Sequence, residues 1–90
     1  MYEIIFTEAY EKKAREFFKV HKDLIKRYEK LLTLLRENPQ HPSLRLHKLK
    51  GDLKEFYSLS ISKKFRIIVR FIIEEKKIIM IDIGIHDDVY

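Results

Sequence analysis

The first half of the chain combines one short apolar run with two stretches of helical periodicity. Residues 2–6 favour a β-strand, and Thr7 follows them as a helix N-cap. Residues 8–20 and 23–37 then carry apolar side chains three and four positions apart, the spacing of one helix face. The clearest stripe consists of Leu24, Tyr28, Leu31, Leu32 and Leu35. Because Pro39 prevents the second helix from continuing, a strand followed by a helical hairpin is predicted.

The second half of the chain changes to the period of β-strands. Residues 56–61, 65–73 and 77–84 are rich in β-branched and aromatic side chains. In the middle strand, alternation puts apolar side chains on one face and Arg66 and Arg70 on the other. The order βααβββ predicts one compact α+β domain, in which an antiparallel sheet carries the helical hairpin on one face. The opposite face is expected to expose Ser58, Ser60, Arg66 and Arg70.

Composition limits the class of protein. The 90 residues are 46% apolar and 12% aromatic, which indicates one globular domain over residues 1–90. No cysteine is present, so disulfides and thiolate metal sites are excluded. The N-terminus lacks a signal-peptide pattern, and no apolar run approaches the roughly 18 residues of a membrane span. We therefore expect a cytoplasmic protein with no membrane partner.

The positive charge is concentrated in the middle third of the chain. The formal net charge is +5, but residues 41–70 alone hold eight Lys and Arg against Asp52 and Glu55, a net of +6. Such a local excess favours a polyanionic partner, RNA or DNA first. The alternative is a generally lysine-rich protein whose charge serves solubility.

Two basic segments border the expected open face of the sheet. The first is LHKLKG at 46–51, where His47, Lys48 and Lys50 precede the sheet. It is either a phosphate-binding segment or a solvated basic loop. The second is the strand that carries Arg66 and Arg70, which need acidic partners or an anionic ligand. Structural ion pairs therefore remain open for both arginines.

The chain closes on IGIHDDVY, residues 83–90, which brings His86, two aspartates and Tyr90 together. Neighbouring strand residues point in opposite directions and no HxH or HExxH pattern occurs, so we expect no metal and no small-molecule cofactor. Histidine suits acid or base work near neutral pH, and arginine and lysine suit stabilisation of a phosphorane. These are the groups that metal-free RNA cleavage needs. Tyr90 either stacks on a base or caps the core, and His86 is otherwise an inert surface histidine.

These residues resemble the RelE/ParE superfamily of bacterial and archaeal type II toxins over nearly the whole chain. The resemblance rests on HKLKG at 47–51, on the FYSLSI and FRIIV strands, and on the closing Gly-x-His-x-x-x-aromatic pattern, which is most similar to YafQ-like mRNA interferases. It implies a compact α+β fold, cleavage of mRNA in the ribosomal A site and inhibition by an acidic antitoxin. By position, His86 resembles the catalytic histidine of that branch, Tyr90 its terminal aromatic, and Arg66 the strand arginine of RelE.

Three functions remain open on this basis. The leading hypothesis is a metal-independent endoribonuclease that cleaves mRNA on the ribosome. The alternatives are a ParE-like inhibitor of DNA gyrase and an inactive relative that only binds an antitoxin. Ser60 and either Lys63 or Lys64 stand where YafQ-like toxins carry a second histidine and an aspartate. For the leading hypothesis we predict catalytic roles for His86, Arg66 and His47, and RNA or phosphate contacts through Lys48, Lys50, Arg70 and Tyr90.

Overall fold

The computed structural model describes residues 1–50 and 55–85 of the chain. Strand β1 leads into two helices, and the remaining strands follow. Two short 3₁₀ turns, Lys22–Leu24 and Pro42–Leu44, connect the elements in the first half. The helices and strands are β1 Glu3–Phe6, α1 Glu8–Val20, α2 Ile25–Glu37, β2 His47–Lys48, β3 Phe56–Ser60, β4 Phe65–Ile72 and β5 Lys77–Ile85.

Helix α1 begins and ends where the sequence predicts, whereas α2 ends as predicted but begins at Ile25, after the 3₁₀ turn Lys22–Leu24. The Thr7 hydroxyl accepts a hydrogen bond of 3.1 Å from the Tyr10 amide, which satisfies one of the unpaired donors at the start of α1. At the other end of the hairpin, the Asn38 amide donates to the Leu34 carbonyl at 2.7 Å and closes α2 just before Pro39. No helix in the described residues is long and apolar enough to cross a membrane.

The five strands form one sheet in the order β1-β5-β4-β3-β2. The pairings between β2 and β3, β3 and β4, and β4 and β5 are antiparallel, whereas β1 pairs with β5 in parallel. The α+β class and the helical hairpin are confirmed, but the sheet is mixed rather than wholly antiparallel. The last three strands follow one another through short turns, which force antiparallel pairing. Strand β1 is joined to the rest through both helices, and a connection of that length allows parallel pairing.

The hydrophobic core lies between the helices and one face of the sheet, here called the covered face. Alternation places every second residue of β3 and β4 on it, as predicted. The fully buried members include Leu35 on α2 and Ile67 on β4, both at 0% exposure. The other core residues come from both helices, both 3₁₀ turns, β3 and the residue after it, β4 and β5: Tyr10, Ala14, Leu24, Leu31, Leu44, Leu59, Ile61, Phe65, Val69, Ile78, Met80 and Ile83.

The other face of the sheet, here called the open face, differs from the expectation. Arg70 is exposed as predicted, but Ser58 is 0% exposed, and Ser60 and Arg66 are half-buried. The register explains the difference, because the short Ser58 side chain lies between the larger cross-strand neighbours His47 and Ile68. The open face is therefore recessed at its centre rather than uniformly exposed.

Candidate functional site

Arg66 occupies the recessed part of the open face. It lies on β4 with Ser60 opposite on β3 and Gly84 opposite on β5, so one of its two neighbours has no side chain. The Ser60 hydroxyl donates to the Ser62 carbonyl at 2.8 Å. The Nε and Nη1 atoms of Arg66 are buried and have no hydrogen-bond partner among the described residues. Since a buried guanidinium without acceptors costs free energy, this position suits an anionic ligand.

His47 joins the same face from the edge strand β2. It pairs with Ser58, which pairs in turn with Ile68, so all three side chains share a face. The His47 Nδ1 atom lies 3.2 Å from the Arg45 carbonyl oxygen. A carbonyl only accepts, so Nδ1 carries the proton and the lone pair of the neutral ring is on Nε2. The backbone thus selects the tautomer that a general base would use.

The other described histidines have structural partners. The His21 ring packs against Phe17 and Phe65, with centroid distances of 4.5 Å to each. The His41 Nδ1 atom accepts from the Ser43 amide at 3.2 Å and caps the 3₁₀ turn that follows. Of the described histidines, His47 is therefore the one that the sheet places on the open face.

The remaining predicted phosphate-binding residues are spread around the site. Lys48 pairs with Tyr57, whose ring packs against the core, so alternation directs Lys48 to the covered side of the sheet edge. Lys50 is exposed beyond the end of β2. Arg70 lies on the open face but forms an ion pair with Glu55 at 3.8 Å. The structure thus brings Arg66, His47 and Arg70 onto one face and does not direct Lys48 to it.

Several predicted site residues lie outside the described residues. These are Gly51 of the HKLKG segment and the terminal group His86, Asp87, Asp88 and Tyr90. Strand β5 carries the described chain to Ile85, which pairs with Phe65 one position beyond the Arg66–Gly84 pair. The last described residues of the chain therefore lie next to Arg66.

Sequence reasoning missed the burial of Ser58. Its hydroxyl has no hydrogen-bond partner within the described residues. Ser58 lies on the same face of β3 as Ser60, which pairs with Arg66. Alternation identified the face correctly, but the depth of a residue on that face depends on the size of its cross-strand neighbours. Among the described residues, no three His, Cys, Asp or Glu side chains form a group that could hold a metal ion.

Comparison with known proteins rests on structure. No protein-family model matches the chain, and no curated protein matches its sequence. A metal-bound toxin from Helicobacter pylori superposes with a TM-score of 0.82 at 24% identity, covering 100% of both chains. YafQ from E. coli strain BL21(DE3) superposes with a TM-score of 0.81 at 20% identity, covering 100% of this chain and 99% of that one. This chain has the fold of the RelE/ParE toxins.

The same toxin fold recurs in more distant structures. The YoeB/ParE toxin from Agrobacterium tumefaciens superposes with a TM-score of 0.76 at 16% identity, covering 93% of this chain and 98% of that one. YafQ has also been solved in the E. coli DinJ-YafQ toxin-antitoxin complex. The fold implied by the sequence resemblance is therefore confirmed over the full length of the chain.

Proposed function

We propose that this chain is the toxin of a type II toxin–antitoxin system and cleaves mRNA on the ribosome by metal-independent acid–base chemistry. The RelE/ParE toxin fold supports the toxin role. The observation that carries the catalytic part is the buried guanidinium of Arg66, whose Nε and Nη1 have no hydrogen-bond partner among the described residues. A phosphate gains negative charge as it becomes pentacovalent, and a preorganised cation stabilises that charge.

Proton transfer is assigned to His47 and His86. In one step the base removes the proton of the 2′-hydroxyl, and the 2′-oxygen bonds to phosphorus. In the next the bond from phosphorus to the 5′-oxygen breaks as the acid protonates that oxygen. The products are a 2′,3′-cyclic phosphate and a 5′-hydroxyl. The tautomer of His47, fixed by the Arg45 carbonyl, presents Nε2 as its basic atom.

The basic residues around the site are assigned to binding. In this proposal Lys50 and Arg70 contact phosphates of the mRNA at the open face, Lys48 adds a positive charge at the edge of the sheet, and Tyr90 stacks on a base. An acidic antitoxin is the proposed regulatory partner, because the net charge of +6 over residues 41–70 calls for an anionic cover. The structure of YafQ in complex with DinJ supports a partner of this kind.

Induced expression with primer-extension mapping of mRNA ends tests this function. Wild type is expected to arrest growth and to produce new mRNA ends. Arg66→Ala should lower cleavage by about 10²–10³-fold, the usual effect of removing one charge-stabilising donor. His86→Gln should lower it by about 10²–10⁴-fold, the usual contribution of one proton-transfer group. Arg36→Ala removes a charge from the exposed surface of α2 and serves as the matched control.

The outcomes separate the three functions. New ends that depend on Arg66 and His86 support cleavage. Growth arrest without new ends, together with loss of DNA supercoiling activity, would assign the chain to the gyrase inhibitors. Absence of arrest, with retained binding to the product of a neighbouring acidic reading frame, would leave an antitoxin-binding module.

A further inference from the structure

A second basic site lies beside the open face, at the end of β3. It is a pocket of about 350 Å³ between α2, the 3₁₀ turn Pro42–Leu44 and the turn that joins β3 to β4. Its aliphatic lining belongs to the core that α2 and the sheet share: Leu31, Leu34, Leu44 and Ile61. Ser60, the β3 neighbour of Arg66, also lines the pocket, so the pocket adjoins the Arg66 end of the open face.

The rim of this pocket is charged with one sign. Arg27, Lys30, Arg45 and Lys63 line it, and no acidic side chain does so in the described part of the chain. None of the four forms an ion pair with a described acidic residue. Four cations around one concavity repel one another and raise the local concentration of anions. The arrangement thus favours an anionic occupant.

Three separate elements hold these cations in place. Arg27 and Lys30 are three residues apart, on one side of α2. The Arg27 Nη1 atom donates to the Ile61 carbonyl at 3.5 Å and links the helix to the end of β3. Lys63 comes from the turn between β3 and β4. The cations therefore surround a single cavity rather than follow an extended groove.

Arg45 is held in a backbone conformation that arginine disfavours. Its φ of 50° and ψ of 45° are left-handed, a region that glycine adopts without steric cost. Its amide donates to the Pro42 carbonyl at 3.1 Å, and its own carbonyl is the group that fixes His47. Glycine would serve both backbone contacts equally well. What arginine adds over glycine at this position is therefore its charged side chain.

We infer that this pocket binds one nucleotide of an RNA strand, with its phosphate among the rim cations and its sugar and base against the aliphatic floor. An acidic peptide of several residues would lie mostly outside this cavity of about 350 Å³, which α2 and two turns line. The Ser62 hydroxyl, which accepts from two backbone amides, adds a donor for a phosphate oxygen. The assignment of RNA rests on the proposed function, and it adds a contact beside the proposed cleavage site.

Titration of the full-length protein with a nucleoside 5′-monophosphate, followed by amide NMR shifts, tests the pocket directly. The background is Arg66→Ala, so that cleavage and the open face do not contribute. The amides of Ser43, Leu44 and Lys63 are expected to shift, and the shifts should be lost in Arg27→Gln/Lys63→Gln. The pair Lys12→Gln/Arg36→Gln removes the same charge outside the pocket and should keep them.

Salt dependence of binding to a short single-stranded RNA gives a second readout. Each phosphate contact with single-stranded nucleic acid contributes about 0.7 to the slope of log K against log salt. Arg27→Gln/Lys63→Gln should therefore reduce that slope by about 0.7 if the pocket holds one phosphate. The control pair should leave it unchanged. An unchanged slope in the pocket variant, or a glutamate hexapeptide that shifts the pocket amides at lower concentration than the nucleotide, would overturn the inference.

Arg45→Gly separates ligand binding from folding. It removes a rim cation but favours the left-handed backbone, so the thermal midpoint should stay equal or rise while nucleotide affinity falls at least tenfold. Equal affinity would show that Arg45 is not part of the site. Because these measurements do not involve cleavage, a pocket that binds the nucleotide stands even if mRNA cleavage fails. Conversely, cleavage by a chain whose pocket binds nothing would overturn the pocket alone.

Discussion

The two sides of the sheet differ in whether their buried polar atoms have hydrogen-bond partners. On the covered side of the sheet, the hydroxyl of the buried Tyr10 on α1 forms a hydrogen bond of 2.9 Å with the hydroxyl of Tyr28 on α2. On the open face lie the buried side-chain atoms that lack a partner among the described residues: Ser58 Oγ, Arg66 Nε and Arg66 Nη1. Native proteins satisfy nearly all buried polar groups, and an exception asks for an explanation. The contrast supports a structural role for the covered face and the proposed ligand-binding role of the open face.

The largest effect is expected from opening a cavity on the covered face. Ile67 on β4 is 0% exposed, whereas Ile73, just past the end of the same strand, is 68% exposed. Ile67→Ala should lower the free energy of unfolding by about 2–5 kcal/mol, because it removes buried methyl groups and leaves a void. Ile73→Ala makes the same change at the surface and should stay within about 0.5 kcal/mol. Urea denaturation of both variants measures the difference, and equal midpoints would contradict the assignment of the core.

A substitution at the centre of the open face should act in the opposite direction. Arg66→Met keeps much of the side-chain volume and removes the buried donors that lack acceptors. The free energy of unfolding should rise, by up to about 1–3 kcal/mol, because that is the penalty for an unsatisfied buried polar group. Cleavage of mRNA should be lost in the same variant. A marked loss of stability would mean that Arg66 serves the fold instead.

The tyrosine pair gives the covered face a pH dependence. Burial, followed by the neighbouring Tyr28, holds the pKa of Tyr10 well above its ordinary value of 10.0, and burial also raises the pKa of Tyr28. Both rings stay neutral in the folded protein while the unfolded chain releases its protons. Their stabilising contribution is therefore complete below pH 10 and declines as pH rises above it, by up to about 1.4 kcal/mol per pH unit for each tyrosine.

Tyr10→Phe isolates this contribution. The variant should lose about 1 kcal/mol at neutral pH, because the Tyr28 hydroxyl loses its partner. It should also show a shallower decline in stability between pH 10 and pH 11 than wild type. Since the lysines titrate in both proteins, the difference between the two pH profiles reports Tyr10. Identical slopes would show that Tyr10 ionises in the folded state.

The local sequence pattern was sufficient to predict the helices and strands, but not the pairing of strands that are distant in the sequence. The stripe that includes Leu31 and Leu35 and the alternation of β3 and β4 predicted α2 and the covered face, because helix and strand periods are properties of neighbouring residues. The parallel pairing of β1 with β5 was not predictable in this way, since Glu3 meets Lys77 only after the whole chain has folded.

The candidate site was likewise predicted only in those features that depend on neighbouring residues. Alternation placed Arg66 and Arg70 on one face, and the structure agrees. It could not show that two Arg66 nitrogens are buried with no partner among the described residues, because that depends on Ser60 and Gly84 in two other strands. The pocket around Arg27 and Lys63 was missed for the same reason, as its cations are far apart in the sequence.

The smallest effect is expected from the ion pair at the rim of the open face. Arg70 and Glu55 lie 3.8 Å apart, with side chains that are 47% and 66% exposed. Such pairs contribute about 0–1 kcal/mol, because water screens both charges and ordering the side chains costs entropy. Glu55→Gln should therefore leave the urea midpoint nearly unchanged. The same variant releases Arg70 for a phosphate, so RNA affinity at low salt should rise about two- to fivefold, as a gain of up to about 1 kcal/mol allows. Glu75→Gln removes the same charge beside Lys77 in the turn before β5 and serves as the control. If both variants raise RNA affinity equally, the gain reflects net charge, and Arg70 then has no specific role in binding.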